Sequence, residues 1–141
     1  MIAARATAKV AERPDLTEDM IAAIIEAGKH RFLHTLALNT SVPQSVAVRL
    51  SMSSDEIVRA ALVARSGRPR EVYAALVEDP FRYAREWLAQ NDDIPADLRA
   101  RLTDDPDTEV RALLGRWWVG APDEVRRKLL TDPVDRVRVR V

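Results

Sequence analysis

The sequence predicts an all-α protein, an α-solenoid of about five two-helix repeats of 26–27 residues, and three observations predict it. The first is proline. Pro43, Pro69 and Pro95 stand 26 residues apart and Pro122 follows after 27, while Pro80, Pro106 and Pro133 repeat that spacing, each behind an aspartate. The second is a set of apolar columns in the same register. Val10, Leu36, Leu62, Leu88 and Leu114 recur every 26 residues, and Ile24, Leu50, Leu76, Leu102 and Leu129 form a parallel series. The third is local: apolar residues follow helical spacing, and two-residue alternation is confined to 137–141. One domain over 1–141 follows, with repeats at about 6–31, 32–57, 58–83, 84–109 and 110–136, and a partial unit at 137–141.

Each unit reads as two short helices. Met20 and Ile24 give i, i+4 spacing in the first unit, and Val46 and Leu50 repeat it behind Pro43. Ser53-Ser54-Asp55-Glu56 is an S-x-x-E capping box that opens the next helix. Further along, Asn91-Asp92-Asp93-Ile94 is a four-residue connection, and Pro95 starts a helix to about Asp104 with Leu98 and Leu102 on one face. Asp105-Pro106 fits an N-cap followed by proline at the first helical position, where its missing N–H costs nothing. That helix runs to about Arg116, with Val110, Leu113 and Leu114 inward. The one additional residue of the last period falls between Gly115 and Pro122. Val137-Arg138-Val139-Arg140-Val141 then begins another first helix. None of these helices is long enough to hold alone in water, so the stripes must be buried by stacking the units in line.

The run Asp-Pro-Asp-Thr-Glu-Val-Arg-Ala-Leu-Leu at 105–114, followed by a loop, a proline and a short leucine-bearing helix, resembles the leucine-rich repeat variant family, and HEAT-like repeats more broadly. The likeness covers about residues 6–141 and is clearest from 58 onward. It implies a right-handed superhelix, in that family alternating α with 3-10 elements, and a role in binding macromolecules. That family includes a member with a cysteine-ligated iron–sulfur cluster; this chain has no cysteine, so the cofactor is not carried over.

Chemistry-bearing patterns are sparse. The 22 basic and 22 acidic residues cancel, leaving no global field toward nucleic acid or membrane. The opening Met-Ile-Ala-Ala-Arg-Ala-Thr-Ala-Lys-Val has no apolar leader core and no run is long enough to span a bilayer, so a cytoplasmic protein is expected, without membrane association. The carboxylates lie at loops and helix starts and the four glycines do not cluster, so no catalytic residue and no cofactor is assigned. His30 and His34 share a helix face at i, i+4, but a zinc site needs three or four ligands and only Glu56 offers itself as a third, so no metal is assigned. The columns Asp79, Asp105, Asp132 and Arg85, Arg111, Arg138 read as helix caps and as pairs within or between units rather than as a phosphate-binding strip. Trp87 shares a column with Ala61 and Leu113 and reads as packing.

A partner surface is therefore expected on the second helices, which line the concave face in HEAT-like arrays. Its outward positions by that resemblance are Ala47, Tyr73, Arg99 and Arg126, with Arg49, Ala75, Arg101 and Lys128 two residues on. Asp97, Asp123 and Glu124 interleave with the basic side chains, which suits a protein of mixed charge better than bare duplex. Trp117 and Trp118 cannot both point inward, and one is expected to anchor an interface. The expected function is a non-enzymatic scaffold for a protein or peptide. The alternative is nucleic-acid binding, including a role like that of HEAT-like DNA glycosylases, with net charge against it. A charge of +3 over 1–70 and −3 over 71–141 also favours head-to-tail self-association.

Overall fold

The computed structural model describes residues 9–139 and 141. The opening segment read for a leader begins outside the described residues, as does Arg140 of the tail. Among the described residues every regular element is helical. Residues 9–11 are helical, followed by α1 (Glu18–Ala27), α2 (His30–Leu38), α3 (Gln44–Ser51), α4 (Glu56–Val63), α5 (Arg70–Leu76) and α6 (Arg82–Gln90). Then come α7 (Ala96–Ala100), which tightens into a 3-10 turn at Arg101–Asp104, α8 (Thr108–Trp117), α9 (Asp123–Leu130) and α10 (Asp135–Arg138). No helix among them is long and apolar enough to cross a membrane.

The even-numbered helices start at His30, Glu56, Arg82, Thr108 and Asp135, and the odd-numbered ones at Glu18, Gln44, Arg70, Ala96 and Asp123. Both series keep the period of the sequence. Boundaries drawn from apolar columns at 58, 84 and 110 fall two residues inside α4, α6 and α8, because the first turn of each helix is polar. The additional residue of the last period is absorbed by α8, which has ten residues against nine in α6.

Local chemistry sets the starts and stops. Pro43, Pro69, Pro95 and Pro122 stand at the N-cap, one residue earlier than expected, and their carbonyls accept the first helical N–H, as from Leu98 to Pro95 at 3.0 Å. Thr17 caps α1 through Met20 N, and Gly28 ends that helix at φ 59°, a left-handed conformation that glycine adopts at no steric cost. Asp55 and Asp107 cap α4 and α8 with their side chains.

Asp79, Asp105 and Asp132 are not the helix caps that the sequence suggested. Each accepts the amide two residues on (Phe81, Asp107 and Val134, at 2.8–2.9 Å) and closes an Asx turn ahead of the helix. The proline that follows explains this, since it holds the preceding residue extended; Asp105 sits at φ −59°, ψ 134°. Ser53 fills the same place by accepting from Asp55 N, so the S-x-x-E box does not form and Asp55 caps instead.

The even helices pack in series on their equivalents one period away, and part of the odd series does the same. Thus α2 meets α4, α4 meets α6, α6 meets α8 and α8 meets α10, while α3 meets α5 and α9 meets the 3-10 turn. Leu36, Leu62, Leu88 and Leu114 lie at 0% exposure along the resulting core, with Ile24, Leu50, Leu76, Leu102 and Leu129 beside them. The tail joins this core: Val137 is fully buried in α10, whereas Val139 is 75% exposed.

Candidate interaction surface

The helical pairs are joined by a ladder of arginine and aspartate. Arg59, Arg85 and Arg111 each donate Nη1 to the backbone carbonyl six residues back, on Ser53, Asp79 and Asp105 at 2.6–2.8 Å. The remaining donors of each fork close on the carboxylate of the next period, with Nε to Oδ2 at 2.7 Å on Asp79, Asp105 and Asp132. The aspartates are buried and the guanidiniums nearly so. Hydrogen bonding to these carboxylates raises all three arginine pKa values above the ordinary guanidinium range, and the Arg111 contact holds Asp132 below the ordinary carboxylate value. Arg138 repeats the carbonyl contact, to Asp132, but turns its other donors to its own neighbour Asp135. A fork that engages a carbonyl and a carboxylate is committed to the frame and does not face a phosphate.

A second set of polar side chains closes the C-terminal ends of the helical segment 9–11 and of α2, α4 and α6, where carbonyls lack an intrahelical partner. Asn39 donates to Ala11 O at 2.9 Å, and Asn91 to Val63 O at 3.0 Å. In the intervening periods arginine takes the task. Arg68, 6% exposed, donates to the carbonyls of Ala37, Asn39 and Leu62, and Arg99, 2% exposed, to that of Ala89 at 2.8 Å. Burial lowers the pKa of both, and the negative ends of α2, α4 and α6 help to hold them charged. Arg99 also reaches Asp92, and its guanidinium lies 5.1 Å from the centre of the Trp118 ring.

These contacts revise the expected partner surface. Tyr73 is 1% exposed and Arg99 is 2% exposed, so neither side chain faces a partner, and Ala47 is buried as well. Tyr73 instead donates its hydroxyl to Asp93 at 2.9 Å while accepting from Arg68 N, and burial followed by the Asp93 contact pushes its pKa up to about 12. The outward position was read one helical step off, because the need to close carbonyls and a loop drew both long side chains inward. Arg101, Arg126 and Lys128 are exposed. Of these, Arg101 pairs with Glu78 and Lys128 with Asp104, while Arg70 bridges to Asp97, holding that carboxyl at about 2. The odd helices thus present mixed charge crosslinked between periods.

The tryptophans divide. Trp118 is half-buried on Arg99; Trp117 is 46% exposed, with the Arg116 guanidinium 5.4 Å from its ring centre. Trp87, expected in the core, is also 46% exposed, and Tyr83 on the same helix is 50% exposed. Column sharing misplaced Trp87: Ala61 is small enough to be covered by its neighbours, whereas an indole in that place projects beyond them. The i, i+4 pair Tyr83 and Trp87 was the overlooked signal. Trp87 and Trp117 flank a groove lined by Val63, Ala64, Ser66, Gln90, Asn91 and Asp92.

His30 and His34 stack with ring centres 6.2 Å apart, and His30 Nδ1 contacts Asp55, not Glu56. Among the described residues no three metal-ligating side chains come together. No protein-family model, no curated protein and no solved structure matches this chain.

Proposed function

We propose that the chain is an α-solenoid of the leucine-rich repeat variant or HEAT-like kind that acts as a non-enzymatic scaffold for a protein or peptide. The observation that supports it most is the contrast between frame and surface. The ladder from Ser53 to Arg138 consumes the repeated charges, while Tyr83, Trp87 and Trp117 remain half in solvent on neighbouring helices. Aromatic side chains held out from a rigid frame are the usual anchors of protein interfaces. The serial packing of equivalent helices supports the solenoid arrangement, since repeat arrays bind along faces that lengthen with each unit.

Two experiments test this reading. Deleting one period from helix start to helix start, residues 82–107, leaves a serial stack folded with a lower Tm; loss of all cooperative helix melting rejects the solenoid. Immobilised chain is then used to isolate partners, each purified and titrated by calorimetry with hydrogen exchange to map the contact. A set of candidates none of which binds the purified chain rejects the scaffold. Nucleic-acid binding is the second reading and draws less support, because Arg59, Arg85, Arg99 and Arg111 are engaged within the frame. Tight duplex binding that weakens steeply with salt would establish it.

A further inference from the structure

We propose that the groove at the end of α8, lined by Arg116 and Arg126, receives an acidic peptide segment of a partner protein, an apolar side chain against its lining and carboxylates at the two guanidiniums. The proposal deepens the scaffold reading and rests on it for the source of the peptide alone. Two features point to that occupant. The space, about 370 Å³, is bordered by Leu114, Trp118, Val119 and Leu129, and among the described residues the only ionisable side chains in its lining are Arg116 and Arg126. Neither cation is neutralised within the fold. Arg70 meets Asp97, Arg101 meets Glu78 and Lys128 meets Asp104, whereas no carboxylate among the described residues pairs with Arg116 or Arg126. Arg116 lies over the Trp117 ring, a contact that keeps its full charge.

The repeat shows what this unit lacks. The register position of Arg126 is filled by Ala47, Tyr73 and Arg99 in the units before it, and all three are buried. Arg99 finds Asp92 at 2.9 Å in the loop ahead of its own helix, and the Ala89 carbonyl at 2.8 Å. Counted back from Pro95 and Pro122, the counterpart of Asp92 is Val119, which is 93% exposed. Arg126 therefore has a valine where Arg99 has a carboxylate, and it stands in solvent. Asp123 and Glu124, in the first turn of α9, lie outside the lining. An acidic segment supplies the missing carboxylates, and its apolar side chain covers Val119 and Trp118. Nucleic acid fits less well, because it asks for a track of cations along the phosphates and this groove offers two beside apolar side chains.

The test is a tryptophan-fluorescence titration with acetyl-Asp-Glu-Leu-Phe-Asp-amide. Its counterparts are the peptide with Asn and Gln in place of the acids and the peptide with Ala in place of Leu and Phe. The expected result is saturable binding of the acidic peptide that weakens with salt, and at least about tenfold weaker binding of both counterparts. Arg116→Gln and Arg126→Gln each weaken it about threefold or more. Arg127→Gln, which removes an exposed charge next in sequence but outside the lining, leaves it within about twofold. No saturation, equal binding of the acidic and amide peptides, or equal losses from all three variants overturns the proposal. Oligothymidylate binding more tightly than the peptide, and weakened by Arg126→Gln, overturns the protein source and assigns the groove to nucleic acid. A chain that binds a mapped partner but not the peptide fails here and leaves the scaffold standing.

Discussion

Arg111→Met cuts one rung of the ladder, and the structure sets what that should cost. The guanidinium gives Asp132 two hydrogen bonds, at 2.7 and 3.3 Å, and the Asp105 carbonyl one, at 2.7 Å. Methionine fills most of the space of the stem, so the loss is electrostatic. Asp132 stays 7% exposed with only the Val134 amide as donor. Removing one member of a buried ion pair costs roughly 3–5 kcal/mol. The arginine is 13% exposed and the aspartate keeps one N–H, which places the expected loss at the lower end, about 3 kcal/mol. For a chain of this size that is a fall in Tm of roughly 9 °C. Urea and thermal unfolding followed by circular dichroism measure it, for Arg111→Met, Asp132→Asn and the double variant. The double variant should recover part of the sum, with a coupling of about 2 kcal/mol between the two sites. Arg138→Met should cost clearly less, because its carboxylate partner Asp135 is 88% exposed. A loss under about 0.5 kcal/mol for Arg111→Met, or no coupling with Asp132, would refute the ladder as a source of stability.

Three further outcomes are expected. Leu62→Ala and Leu88→Ala, both at sites of 0% exposure, should each cost roughly 2–5 kcal/mol by the same melts, and an unchanged Tm at either would contradict the core register. Arg68→Met leaves the Ala37, Asn39 and Leu62 carbonyls without their donor and should cost about 3 kcal/mol, read as a lower urea midpoint and faster amide exchange at the end of α2. Asp132 is held below its ordinary value of 3.8 chiefly by the Arg111 hydrogen bond, so its contribution is complete above that value and is lost as pH falls through the lower folded-state value. Urea midpoints taken from about pH 5 to about pH 2 should therefore fall less steeply for Asp132→Asn than for the parent chain, and parallel curves would exclude Asp132 as a source of the acid limb.

Much of the frame was legible in the residues. The leucine columns at 36, 62, 88 and 114 are the core, the prolines mark the odd helices, and the arginine column marks the rungs. A column identifies positions that meet the same neighbours, so wherever each unit solves a problem with the same residue the period reveals it. The aspartates were legible as structural but not as turn-closers, because an N-cap and an Asx turn differ by two residues of register and share a composition. The surface was less legible. Exposed helical positions vary from unit to unit by definition, and a period says nothing about them.

The sequence by itself determined that the chain is helical, where its helices fall and which apolar faces are buried, since these depend on spacing repeated along one chain. Tertiary structure alone decided that Tyr73 and Arg99 turn inward and that Trp87 stands out. The carbonyls at the helix ends need donors from whichever loop lies across from them; Asn39 and Asn91 supply these from one register position two periods apart, and Arg68 and Arg99 from two others. Such partners are chosen by distance across the gap between neighbouring helices, a quantity that no spacing along the chain contains.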